Sequence, residues 1–210
     1  MRTKSDTRRQ AILDTAQAMF EEKGFEQTSM AEIAAQLGGS KATLYSYFSS
    51  KDTLLLELVK RCADQHIAQV MALLDPAEDV EVTLRLFGRR ALEIFQSAHM
   101  IGMRRMIIAA STRSDVGKMF YQHGPARGMK LLEDYLAAEI AAGKLRPADP
   151  RIAAQHLRGL LDADLFESGL LNARAELTAT QISNIVDQAM RVFMAAYGPG
   201  FDSAQSTGAV

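Results

Sequence analysis

The sequence predicts an all-α protein, with an N-terminal three-helix helix-turn-helix domain followed by a larger C-terminal helical domain. Apolar residues recur with a period near 3.6 along most of the chain, and no run alternates convincingly as a strand would. The five prolines, Pro76, Pro125, Pro147, Pro150 and Pro199, fall mostly where that period breaks. Two short periodic segments meet at Gly38-Gly39, the spacing of a helix-turn-helix.

The first helix is expected over about Thr7–Lys23, with Ile12, Leu13, Ala16, Met19 and Phe20 as its buried stripe. Gly24 caps its C-terminus, and Phe25 supplies the apolar closure. Ser29 and Glu32 have capping-box spacing and open a second helix, Met30 to about Leu37. Ser40 caps a third, to about Phe48. Ser50 caps a fourth, from Lys51 to about Leu74, roughly 36 Å long at the helical rise per residue. Asp75-Pro76 stops it. Further helices are expected at about 79–98, 100–110, 115–142, 150–172 and 178–197. Pro125 predicts a kink or split near Gly124, and Asp149-Pro150 supplies a cap and a first-turn proline.

Lys plus Arg number 24 and Asp plus Glu 25, for a net charge of −1, which excludes a polybasic binder acting by bulk charge. One cysteine, Cys62, excludes a disulfide framework and a cysteine-based zinc site. Its neighbours Lys60-Arg61 would activate it if exposed, whereas a packed thiol is inert. The N-terminus lacks a secretory apolar core, and no apolar run reaches membrane-span length. A cytoplasmic location without membrane association is therefore expected. Catalytic motifs are missing and His66, His99, His123 and His156 are scattered, so neither catalysis nor a metal or cofactor is expected. His123, close to Tyr121, could still bond a polar ligand group.

From Ile33 to Lys51 there is no acidic residue, while Ser40, Lys41, Thr43, Tyr45, Ser46, Tyr47, Ser49 and Ser50 are all present. Such a surface approaches phosphates without like-charge repulsion and offers many hydrogen bonds. Ala11-Ile12-Leu13, Phe20, Gly24-Phe25, Thr28-Ser29-Met30, Ile33-Ala34, Leu37-Gly38 and Ser40 through Phe48, with Lys51 and Leu54-Leu55, together resemble the TetR/AcrR family of bacterial repressors. The resemblance is dense over residues 8–58. It implies that Thr28 and Ser29 meet phosphates, and that Lys41, Ala42 and Thr43 face base edges or adjacent backbone. Tyr45, Ser46 and Tyr47 would line the groove wall and Lys51 would hold a phosphate. Ile33, Leu37, Leu44 and Phe48 would be core. The Tyr45 ring has a second reading, packed against the first helix. Two positions depart from the family: Gly39 stands where a β-branched residue is usual, and Ala31 where a charge is common. Residues 1–10 add Arg2, Lys4, Arg8 and Arg9 against Asp6, either an arm that lies along the DNA backbone or enters the minor groove, or a solvated tail.

In the C-terminal half, Phe87, Phe95, Met103, Met106, Phe120, Tyr121 and Phe166 are soft, bulky side chains that suit either an adaptable apolar cavity or a core. The family implies a ligand cavity there, for an unidentified small apolar or amphipathic molecule. Phe120 to Gly143 resembles the AefR-like subgroup. The last two helices carry wide apolar faces, with Leu157, Leu161, Ile182, Val186, Ala189 and Phe193 as the candidate interface of a four-helix homodimer. The expected domains are then 1–50 for DNA binding, 51–74 as a connecting helix, 75–198 for ligand binding and dimerisation, and 199–210 as a disordered tail. The expected function is a ligand-responsive repressor on a palindromic DNA operator. The alternative is an all-α small-molecule-binding or enzyme domain without a DNA function.

Overall fold

The computed structural model describes residues 4–200, the Lys4 side chain excepted, and these residues contain helices and no strand. They divide into two compact units, described in turn. The first comprises the described residues up to Gln65 together with 102–125; the second comprises His66–Ile101 and the described residues from Ala126 onward. This division differs from the expected linear one, because 102–125 joins the N-terminal residues.

In the first unit, α1 (Lys4–Lys23) buries Ile12, Leu13, Ala16, Met19 and Phe20, one stripe at helical spacing. It starts earlier than expected, so Arg8 and Arg9 are helical rather than part of an extended arm. Arg2 and the Lys4 side chain lie outside the described residues, as do residues 201–210 of the expected tail. Gly24, at φ +87°, ends α1 in a conformation that needs no Cβ, and its N–H bonds the Phe20 carbonyl at 3.0 Å. Phe25 then meets Phe20 edge-on, ring centres 5.1 Å apart. Next come α2 (Met30–Gln36) and α3 (Lys41–Tyr47), joined through Gly38 at φ +61°. The long α4 (Lys51–Met71) begins in this unit and ends in the other. Leu44, Phe48, Leu54, Leu55, Leu58 and Val59 complete the core with Ile33 and Ala34; Leu37 is half-buried.

The second unit contains α5 (Val80–Phe95), the start of α6 (Ala98–Ala110), α8 (Arg127–Ala141), α9 (Pro150–Asp162), α10 (Leu165–Leu170) and α11 (Ala179–Tyr197). Between α6 and α8, α7 (Val116–Tyr121) runs into a π-helical turn at Gln122–Ala126. Pro125 has no N–H to continue the ladder, and the predicted break at Gly124 takes this form. Asp79, Asp149 and Thr178 cap α5, α9 and α11, the last with a full capping box to Gln181. α11 packs on α5 and α9, and α8 packs on α9. At Gly88 of α5 a Cβ would stand 3.3 Å from Leu161 and 3.4 Å from Val186, so the missing side chain lets three helices close together. The expected helix over 150–172 is two helices. A turn at Ala163-Asp164 separates them, and the Asp162 carboxylate accepts from the Gln96 amide at 3.0 Å. No helix among the described residues is long and apolar enough to cross a membrane.

Candidate nucleic-acid interface

The α3 helix has an inner and an outer face. Leu44 and, at its C-cap, Phe48 are each 2% exposed, which fixes the helix against the core. Lys41, Ala42, Thr43, Tyr45 and Ser46 are exposed and Tyr47 is half-buried. The Tyr45 ring is 51% exposed, which sets aside its packing against α1. Ser40 sets the start of the helix: its hydroxyl accepts from Thr43 N–H at 3.1 Å and lies 2.9 Å from the Thr43 hydroxyl. Ser46 donates to the Thr43 carbonyl at 2.7 Å. These hydroxyl bonds are local and solvent-exposed, so each can be exchanged for a phosphate or base-edge acceptor without moving the backbone.

The α2 start is built by a reciprocal capping box. Ser29 Oγ accepts from Glu32 N–H at 3.2 Å, while the Ser29 hydroxyl and N–H both donate to the Glu32 carboxylate at 2.8 Å. Those bonds from Ser29, with Lys23 nearby, hold the Glu32 carboxyl below its ordinary range. Ser29 is exposed, as a backbone-contacting residue must be. Thr28 is not: it is 1% exposed, and its hydroxyl donates to the Gly24 carbonyl at 2.9 Å. The expected phosphate contact of Thr28 is therefore corrected to a buried turn lock, because its one donor faces inward.

Lys51 is also placed differently. Its ammonium donates to the Phe25 carbonyl at 2.6 Å and the Glu26 carbonyl at 3.3 Å, and it lies 4.3 Å from the centre of the Phe25 ring. It ties the start of α4 to the turn after α1, rather than standing free for a phosphate. Charged-donor bonds of this kind contribute about 1.5–3 kcal/mol each when desolvated and less at a half-buried site. Lys51→Ala is accordingly expected to lower the melting temperature by several degrees. Its DNA-binding salt slope should match that of the wild type; a slope shallower by about one unit would restore the phosphate role.

Arg9 is occupied as well, paired with Glu57 and stacked 5.2 Å from the Phe48 ring centre. Although burial pushes the Glu57 carboxyl up, hydrogen bonds from Arg9 and Lys60 bring it below its ordinary value. Burial pushes the Cys62 thiol up to about 11, more than neighbouring Arg61 pulls it down, so Cys62 is a protonated packing residue at neutral pH.

The seven candidate ligand-pocket residues are divided between the units. Met103 and Met106, in the first, line an apolar crevice with Gln17, Phe20, Glu21, Leu55 and Leu58 that has room for about one water. Phe120 is half-buried beside them in sequence, and Tyr121 is 61% exposed. In the second, Phe87 is buried, Phe95 half-buried and Phe166 46% exposed. Tyr121 and Phe166 are corrected to surface residues: α7 turns Val116 inward, and the break before α10 turns Leu165 inward instead of Phe166. The six candidate dimer residues, Leu157, Leu161, Ile182, Val186, Ala189 and Phe193, are all buried within their own chain, none above 7% exposed. They are corrected to core residues, since a side chain enclosed by its own helices offers no surface to a second chain. Tyr197, stacked on Phe193 at 4.8 Å, closes this core and bonds His156 Nδ1 at 2.6 Å.

A two-helix motif with an acid-free, hydroxyl-rich outer helix, carried on an all-α body, defines a DNA-binding regulator of the helix-turn-helix class. The family model described as "Bacterial regulatory proteins, tetR family" matches residues 12–58, and that of the "AefR-like transcriptional repressor, C-terminal domain" matches residues 82–199. The chain belongs to the TetR family of transcriptional regulators. Membership sets aside the alternative of an enzyme domain. A solved TetR-family regulator from Mesorhizobium loti superposes with a TM-score of 0.85 at 31% identity, over 94% of this chain and 100% of that one. The flavonoid-responsive regulator FrrA superposes at 0.78 with 28% identity, over 92% and 98%. The transcriptional regulator UidR of Escherichia coli is 30% identical over 125 residues, covering 54% of this chain and only 61% of its own length.

Proposed function

We propose that the protein is a homodimeric repressor that holds a palindromic operator through Ser29, Ser40, Lys41, Ala42, Thr43, Tyr45, Ser46 and Tyr47. The observation that carries this is the exposed, acid-free face of α3 above the buried Leu44 and Phe48. Two chains related by a twofold axis would present their α3 helices to successive major grooves, roughly 34–36 Å apart. The outward side chains of the last helices suit the dimer contact: Ile152, Phe166, Leu171 and Val192 are large, apolar and 40–77% exposed. A small apolar or amphipathic inducer would release the operator by binding one of two conformations more tightly. The naming of FrrA as flavonoid-responsive supports a small-molecule response. The site of action is the cytoplasm, where the operator is.

The test is selection of duplexes from a randomised pool, followed by titration of the selected duplex at several salt concentrations. A selected palindrome, bound with a steep negative salt slope, supports the reading. Retention of no duplex above background, or salt-insensitive retention of all of them, would sink it. Transcription from a promoter carrying the selected duplex then falls for a repressor and rises for an activator.

A further inference from the structure

Gly39 departs from the family pattern, and the space beside it is occupied. A Cβ built there would come within 2.5 Å of Arg8 Nη2 and 3.8 Å of Arg8 Cζ, both in the side chain. The guanidinium from α1 therefore fills the place that a side chain at position 39 would take in the helix-turn-helix. Gly39 itself has no left-handed φ, so its use here is room rather than backbone freedom.

The charge environment of that guanidinium differs from its neighbours'. Arg9 is paired with Glu57, Lys60 with Glu57 at 3.2 Å, Arg61 with Asp14 at 2.6 Å, and Lys23 with Glu32 at 3.6 Å. Arg8 is half-buried and has no carboxylate partner among the described residues. The segment it rests on, from Ile33 to Lys51, contains no acid, and exposed Ser40 and Lys41 follow Gly39 directly. A partly desolvated guanidinium at the edge of the surface offered to DNA, with no carboxylate partner among the described residues, is stabilised when a phosphate arrives.

We infer that Arg8, seated in the notch left by Gly39, is a DNA-phosphate contact that fixes the register of α3, and that Gly39 acts by keeping that seat open. This rests on the DNA-binding reading. It joins a residue of α1 to the turn before α3, a coupling the motif alone does not contain.

The test is a double-mutant cycle on the full chain, with the selected duplex and a scrambled duplex as probes, each titrated at several salt concentrations. Arg8→Ala is expected to weaken binding to both duplexes by the same factor and to make the salt slope shallower by about one unit. Gly39→Ala, which the backbone accepts, is expected to do the same in part by displacing the guanidinium, and to have no effect once Arg8 is alanine. Arg9→Ala, removing a base already paired with Glu57, should leave the slope as it was. Circular dichroism melts of all four variants verify that they fold. The assignment is overturned if Arg8→Ala keeps the wild-type slope, if Arg9→Ala flattens the slope equally, or if Gly39→Ala acts equally in both backgrounds. If the wild-type chain itself binds no duplex in a salt-dependent way, the DNA-binding reading falls and this one falls with it.

Discussion

Phe193→Asp is expected to abolish the cooperative thermal transition of the C-terminal unit, whereas Val192→Asp, one residue earlier, leaves it within a few degrees of the wild type. The two side chains are adjacent on α11 and opposite in environment. Phe193 is fully buried and stacked on Tyr197, and Val192 is 54% exposed. Removing a buried aromatic ring costs about 3–5 kcal/mol. An aspartate in its place adds a carboxylate at a position fully enclosed by the chain, where desolvation penalises its charge. Against a domain stability of about 5–15 kcal/mol, that sum leaves little folded protein. Val192→Asp, an exposed surface change, alters the fold by about 0.5 kcal/mol or less. On the proposed dimer, however, it places a charge on each side of the contact, and sedimentation should then show a folded monomer. A Phe193→Asp protein that melts normally would refute the placement of α11, and a dimeric Val192→Asp would move the contact away from that face.

This pair also shows what periodicity reports. Ile182, Val186, Ala189 and Phe193 were legible as an apolar stripe because their spacing is helical. Periodicity states only that a face is buried, not whether the covering surface belongs to the same chain or another. The capping residues were legible for a different reason: Ser29 with Glu32 and Ser40 with Thr43 act over three positions, so local sequence contains both partners. The Lys51 bond to Phe25 and the Arg9 pair with Glu57 join residues 26 and 48 positions apart, and single-sequence spacing has no signal for either. The Gly39 departure was visible in the sequence, but its meaning needed the position of Arg8. The turn between α9 and α10 contains no glycine or proline, the residues that mark a break in local sequence, and so the two were expected as one helix.

On the α3 face the expected result is a large loss of affinity with no loss of fold. Tyr45 projects from the helix at 51% exposure, with Lys41 exposed one turn earlier and neither contributing to the buried Leu44 and Phe48 layer. Removing either side chain should leave the melting curve unchanged. Each contact to a base edge or adjacent backbone contributes about 1–3 kcal/mol, roughly 5- to 150-fold in affinity. The two changes act through one interface and are close enough to couple, so Lys41→Ala with Tyr45→Ala need not equal the sum of its parts. The pattern across sequences separates the roles. If Lys41 meets phosphate, its loss weakens selected and scrambled duplexes alike and flattens the salt slope by about one unit. If Tyr45 reads the groove, its loss falls on the selected duplex and leaves the slope in place. Tyr45→Phe then isolates the hydroxyl: affinity near the wild-type value assigns the ring to apolar contact with the groove wall, and affinity as low as that of Tyr45→Ala assigns the hydroxyl to a hydrogen bond. Undiminished affinity in the double variant would remove α3 from the interface altogether, because no other exposed residues of that helix combine a charge with a large aromatic side chain.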